Sequence, residues 1–333
     1  MSWEPVITAL EIVLFPGFLF IFCYALFCEW VDRRIFARLQ NRYGPLYTGW
    51  KGILQPLADF IKLLAKEDIT PGAADKAGFT ATPILFLTIP MTLMFLVPVI
   101  GPRAIAAFEG DLIVAFFMTT LINLMIFIGA WSATNRFTVV GGMRSALQML
   151  SYEIPLGLAA LGPAVLAKTL CISDIAQWEV EAWKSFLAHP TPLGVVTAVV
   201  LAFGFALFTL GELAELEKIP FDIPEAETEI VAGWHTEYSG KKLALIRLGM
   251  DVELIFGASL MTALFLGGPS GPWPIPPAVW FIVKTLLCVV LISTLRALFA
   301  RFRIDQVVRW MWKYYVPLAV VYMIAIQALA VVI

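Results

Sequence analysis

The sequence predicts an all-α integral membrane protein of eight transmembrane helices, with an amphipathic interfacial helix and a long acidic cytoplasmic loop, in a single transmembrane domain over 1–333. Three observations carry that expectation. Hydrophobic residues make up 60% of the chain and charged residues 14%, where soluble domains have about half and about a quarter. The apolar residues fall in long runs separated by polar segments. Eight of those runs approach the roughly 20 residues needed to cross a bilayer. A soluble enzyme is excluded. The net charge of −2 gives no sign of a nucleic-acid partner.

The expected spans are 6–28, 82–101, 111–131, 147–168, 192–211, 243–266, 277–299 and 314–333. Met1 to Pro5 holds no basic residue and no small-residue cleavage site follows the first run, so it reads as a retained span and not a signal peptide. Eight spans put both termini on one side. Of the 23 Lys and Arg residues, 17 lie in the segments after spans 1, 3, 5 and 7, and Arg296 lies in the last turn of span 7 on the same side. The positive-inside rule places those segments in the cytoplasm and both termini outside. Cys23, Cys28, Cys171 and Cys288 show no Cys-x-x-Cys spacing, which argues against a disulfide framework or a bound metal. His189 and His235 are solitary and read as loop residues.

The segment after span 1 has two parts. Arg34, Arg38 and Arg42 recur at helical spacing and form one basic stripe if span 1 continues as a helix, until Gly44-Pro45 breaks it. The ordinary reading is an anchor to anionic lipid. From Gly52 to Lys66, Leu57, Phe60, Ile61 and Leu64 share a face, with Asp59, Lys62 and Lys66 off it. Such a helix lies in the interface. It either rests on lipid or packs over a cavity entrance, beside Gln55 and Asp59.

Residues 212–237 hold Glu212, Glu215, Glu217, Asp222, Glu225, Glu227, Glu229 and Glu237 against one cation, Lys218. Part of this has an ordinary explanation. Asp222 can act as an N-cap, with Glu225 as its capping-box partner and Pro224 in the first turn. The density goes beyond capping, because Glu225 and Glu229 share a face with Asp222 and like charges at that spacing destabilise a helix. Crowded carboxylates titrate as a group, which suits holding and passing protons.

Ionisable residues inside spans are candidate functional groups. Here they include Glu11, Glu153, Arg247, Asp251, Glu253 and Lys284. Arg247 and Asp251, one turn apart, read as a mutually neutralising pair. Glu153 has no local cation, and Asn123 and Lys284 are further candidates for a polar path.

Four blocks resemble the membrane subunit of respiratory complex I, and of related membrane-bound hydrogenases, that bridges the peripheral redox arm and the ion-pumping arm. They are Arg38-Leu-Gln-Asn-Arg-Tyr-Gly-Pro45; Gly52-Ile-Leu-Gln-Pro-Leu-Ala-Asp-Phe-Ile-Lys-Leu-Leu-Ala-Lys-Glu67; Pro220-Phe-Asp-Ile-Pro-Glu-Ala-Glu-Thr-Glu229 with His235-Thr-Glu-Tyr-Ser-Gly240; and Arg301-Phe-Arg-Ile-Asp-Gln306. The resemblance implies a tilted bundle with no catalytic residues and no metal or other cofactor of its own. Iron–sulfur centres, and in some branches nickel–iron, would sit in soluble partner subunits on the cytoplasmic face, with antiporter-like subunits in the membrane. It implies that Glu153, Glu215, Asp222, Glu225, Glu227 and Glu229 belong to a charged coupling path, joined on the residue reading by Asp251, Glu253 and Lys284. Arg34, Arg38, Arg42, Gln55, Asp59, Lys62 and Lys218 would lie at a cavity or at the soluble-arm interface, where a quinone head group can enter. The expected location is the plasma membrane of a prokaryotic cell.

This chain also departs from the pattern. Quinone-reducing members usually read Ala-Glu-Thr-Asn-Arg where this chain has Ala214-Glu-Leu-Glu-Lys218, closer to hydrogenase relatives. The family's Glu-Tyr in span 6 aligns with Met250-Asp251, and its Asn after Gly-Pro with Leu46. These departures favour a hydrogenase-type or sulfur-reductase-type complex without quinone, with the quinone-reducing complex as runner-up. A stand-alone ion-coupled transporter is the rival from another class. It would be expected to show repeated halves or broken helices. A passive anchor for soluble enzymes is a third reading.

Overall fold

The computed structural model describes residues 4–272 and 274–332, and the side chains from residue 9 onward. Met1–Trp3, on which the reading of a retained first span partly rests, and Ile333 of the last expected span lie outside the described residues. Among the described residues every regular element is helical. Eight helices or continuous helical stretches are long and apolar enough to cross a membrane.

The first span is not continuous. Helix α1 (Glu4–Val13) ends before residues 14–17, and α2 runs Phe18–Leu39. Pro16 has no amide hydrogen to continue the ladder. The polar stretch beyond residue 28 stays helical because its charges are matched. Arg33 pairs with Glu29 one turn back and with Asp59 at 2.6 Å, and Asp32 with Arg296 at 2.7 Å. Helix α2 therefore carries Arg34 and Arg38 but ends before Arg42, so the expected three-residue stripe is two residues long.

The amphipathic helix α3 spans Gln55–Ala65 and packs against α2 and the later helix α10 (Gly240–Phe265). On its apolar face Ile61 and Leu64 are exposed, while Phe60 packs on the core. Helix α4 (Lys76–Leu93, capped by Asp75) runs on through a short 3-10 turn to Leu96, starting and ending about five residues earlier than expected. Helix α5 is Asp111–Ser132. Helix α6 begins at Arg136, capped by Asn135, and runs to Ala167. Its first eleven residues, in which Arg136, Thr138, Gly141, Gly142, Arg144 and Ser145 interrupt the apolar ones, escape a hydropathy reading but pack on α5 and on the turn holding Trp234.

An amphipathic helix not anticipated from the sequence, α7 (Ile172–Ala188), precedes α8 (Pro192–Glu215). Glu212 and Glu215 therefore sit in the last turn of a span and not in a loop. Helix α9 (Glu227–Ile230) is one turn. After α10 come α11 (Pro277–Leu298), α12 (Ile304–Trp310) and α13 (Val316–Val332). A π-helical turn at Met311–Tyr315 joins the last two, so the final span starts ten residues earlier than expected.

Helix α10 is the hub. Its most apolar stretch is 89% buried, against 28% to 56% for the other spans. A helix enclosed on all sides needs no polar face, yet α10 carries Lys242, Arg247, Asp251 and Glu253. Lys242 donates to Asp68 at 2.9 Å and Thr70 at 2.8 Å, tying the first inter-span segment to α10.

Candidate functional site

Three adjoining cavities occupy the charged end of the bundle. The first, about 660 Å³, is lined by Glu29, Arg33, Arg42, Asp59, Lys218, Glu225, Glu227, His235, Arg247, Asp251 and Arg296, among others. Apolar wall comes from Phe36, Leu243, Ile246 and Met250. The second, about 580 Å³, shares Phe36, Arg42, Lys218, Glu225, Glu227, Met250 and Arg296, and adds Glu215, Glu217, Asp222, Glu253 and Arg301. The third, about 370 Å³, is an outer chamber bounded by Arg34, Arg38 and Arg42 with the Gly44-Pro45 turn.

The acidic loop is held by bases from distant parts of the chain. Asp222 pairs with Arg301, and Glu229 with Arg144 at 2.6 Å. Glu225 lies 3.4 Å from Nδ1 of His235. The expected capping arrangement is not formed. Helix α9 starts at Glu227 after Ala226 with no side-chain cap, and Asp222 is committed to Arg301. Nor do Asp222, Glu225 and Glu229 share a helix face, since only Glu227–Ile230 is helical, although the charge of Glu225 still helps to raise the Asp222 carboxyl. Gly233 allows the tight return: a Cβ there would lie 1.9 Å from the Pro224 carbonyl oxygen.

Glu217 follows the end of α8 and accepts from Ser145 Oγ at 2.7 Å. It also lines the second cavity. Burial and the nearby Glu225 push its carboxyl up to about 8. Burial also raises Asp222, outweighing its Arg301 pair, and lowers His235 despite Glu225. A group of acids and a base so arranged can exchange protons at neutral pH.

Inside the bundle the pattern changes. Glu212, Glu215 and Glu253 are 3%, 8% and 8% exposed, and among the described residues none has a cation within ion-pair distance. Gly257 makes room for Glu212, since a Cβ on it would sit 1.5 Å from Oε1. Asp251 faces the first cavity beside Glu29, and it does not form the expected ion pair with Arg247. Glu153 accepts from Thr120 of α5, next to the Asn123–Tyr152 hydrogen bond of 3.0 Å. It lines none of the three cavities.

Other expected members lie apart. Lys284 donates to the carbonyls of Leu266, Gly268 and Ser270 at 2.5 to 3.0 Å, closing the C-terminus of α10. Lys62 is exposed on α3. Gln55 donates to Asp59 at 3.0 Å, which orients Asp59 for Arg33. Lys218 reaches both cavities and lies 3.9 Å from Asp32, itself 2% exposed and bonded to Ser293 at 2.6 Å.

The sequence alone does not mark Glu29, Asp32, Arg33 or Arg296 as site residues, and His235, expected to be a solitary loop residue, is brought to the site beside Glu225. Arg301 was visible only as part of a motif. No cluster of histidine, cysteine and carboxylate side chains suited to a metal ion occurs among the described residues.

Comparison with known proteins agrees with this architecture. Residues 11–327 match the family model described as NADH dehydrogenase. The second H-type subunit of NADH-quinone oxidoreductase in Rhizobium meliloti (strain 1021) is 37% identical over 301 residues, covering 87% of this chain and 88% of that protein. The first H-type subunit of the same enzyme in Geobacter metallireducens is 37% identical over 314 residues, 91% of each. The corresponding protein of Dehalococcoides mccartyi is 36% identical over 301 residues, 90% of this chain and 81% of that protein. With eight candidate spans and matches of this extent, the chain belongs to the NADH dehydrogenase family and is a membrane subunit of the complex I type.

Proposed function

We propose that this chain couples electron transfer in soluble redox subunits, docked at its charged end, to proton or sodium movement through the membrane. The observation that carries the reading is continuity. The cavities run from Arg34 and Arg38 at the outer rim, past Glu225 and Asp251, to Glu215 and Glu253 within the bundle. A redox event at the rim changes the field on carboxylates that stand without cations, and such groups respond most to a nearby charge. Exposed Tyr43, Tyr47, Trp50, Ile61 and Leu64 near the entrance support docking of partner subunits there, because aromatic and apolar groups are enriched at interface cores. The positive-inside distribution supports a cytoplasmic position for this end.

Two acceptor readings follow from separate observations. The relatives' names support a quinone. The first cavity suits its head group, with Phe36 and Met250 as apolar wall and Arg42, His235 and Asp59 as polar contacts. These residues would hold and orient the ring, and His235 and Glu225 would exchange protons at the cavity wall. The Ala214-Glu-Leu-Glu-Lys218 block, whose lysine faces both cavities, supports the quinone-free hydrogenase-type or sulfur-reductase-type branch.

The test is purification of the complex carrying this chain, followed by electron transfer and ion uptake in proteoliposomes. Reduction of a short-chain quinone is expected in the first branch. Hydrogen evolution or sulfur reduction without quinone turnover is expected in the second. Glu215→Gln should suppress uptake far more than electron transfer. Equal loss of assembled complex would overturn the coupling role. Transport by the isolated chain would return the stand-alone transporter to the front.

A further inference from the structure

Away from the acid cavities, α7 and α8 diverge from the turn at 189–191 and leave a cleft of about 350 Å³ between them. Its walls are mostly apolar, with Trp178, Ala182 and Phe186 on one arm and Leu193, Ala198 and Leu201 on the other. Ser185, His189, Thr191 and Thr197 add polar groups, and one carboxyl belongs to the lining. Glu179 is 2% exposed; its Oε1 accepts from Trp183 Nε1 at 3.1 Å, while Oε2 is enclosed with no hydrogen-bond donor. A buried carboxylate oxygen left without a donor is strongly unfavourable. Lys184 lies on the exposed side of α7, and among the described residues no cation stands within ion-pair distance of Glu179.

We propose that this cleft binds a membrane amphiphile with a primary ammonium head group, supplied by the bilayer as phosphatidylethanolamine, with the ammonium on Glu179 and an acyl chain along the apolar walls. The chemistry selects among head groups. An ammonium brings three N–H donors to the one oxygen that lacks any. A choline head carries the charge without the donors. An anionic head would set its phosphate beside a carboxylate in a lining that holds no lysine or arginine, only the imidazole of His189. Burial holds the Glu179 carboxyl up at about 7, and an adjacent ammonium would favour its charged form. Trp183, 45% exposed, supplies the amphipathic ring that favours head-group depth. The site is separate from the coupling reading, since Glu179 lines none of the acid cavities.

The experiment is native mass spectrometry of the complex purified with this chain in mild detergent, delipidated and then offered dioleoyl phosphatidylethanolamine, phosphatidylcholine or phosphatidylglycerol. One tightly held phosphatidylethanolamine per chain is expected, preferred over phosphatidylglycerol by about tenfold. Glu179→Gln should bring that ratio close to one. Ala198→Trp, which leaves the carboxyl in place and fills the cleft, should remove the tightly held lipid whatever its head group. Equal retention of the three lipids, or a preference that survives Glu179→Gln, would overturn the proposal. So would a cross-link from Ala198→Cys to a copurifying polypeptide, which would make the occupant a protein partner.

Discussion

In the acidic loop, Asp222, Glu225 and Glu229 each meet a base brought from elsewhere in the chain, namely Arg301, His235 and Arg144. On the spans themselves, Glu212, Glu215 and Glu253 are more buried and meet none within ion-pair distance among the described residues. The two regions look alike in composition and differ in what holds them. The loop's acids fix its path over the cavities, so removing a partner should cost structure. The bundle's acids are kept against the expense of placing carboxyl groups in a membrane without cations. Removing one should cost charge movement and little structure.

The largest effect expected from this contrast is that of Arg301→Gln. It leaves Asp222 partly buried without its base, at a cost of about 3 kcal/mol. Limited proteolysis within 216–239 and a lowered melting temperature would register it. Unchanged protease resistance would break the comparison at its strongest point. Glu253→Gln should behave in the opposite way. No cation is stranded, so stability should change by about 0.5 kcal/mol or less, while ion uptake per electron falls at least about tenfold.

Next is the pH response of Glu217, whose carboxyl is raised to about 8 in the fold from about 4.3 in an unfolded chain. The folded state holds this proton more tightly, so its contribution to stability is fully present below pH ~4.3. That contribution is lost as pH rises through about 8. Melting temperature should therefore decline across this window, and Glu217→Gln should flatten the slope. A slope unchanged by the substitution would assign it to other groups. The smallest effect belongs to Glu229→Gln, whose carboxylate is exposed at the loop's edge. The loss should stay under about 1 kcal/mol, with ion uptake intact; a large loss of uptake would move Glu229 into the coupling set.

The spans were readable because a bilayer demands long apolar runs, but their ends were not. Residues 29–39, 136–146 and 304–313 are helical for reasons outside hydropathy: matched charges in α2, small residues packed on Trp234 in α6, and a π turn in the last span. Helix α7 was hidden by its mixed composition. In the site, the carboxylates were visible as a cluster, but their partners were not, because Arg144 and Arg301 lie about 80 residues away and local spacing carries no trace of them. The same blindness made Asp222 look like a helix cap. It also left His235 looking solitary, when the loop folds back and sets it against Glu225.

The enclosure of α10 bears on how the protein is made. With so little surface left for lipid and with Lys242, Arg247, Asp251 and Glu253 along its length, this segment is poorly suited to entering the bilayer by itself, each charge near the centre costing about 2.5–3.5 kcal/mol during insertion. Helices α2, α3, α4, α6, α7 and α8, which pack against it, are all synthesised earlier, and α11 is the main neighbour that follows. The chain is thus ordered so that the walls exist before the segment they shelter emerges. Biogenesis of α10 then becomes a docking step into a waiting scaffold, and an insertase that holds the early helices together would govern its yield.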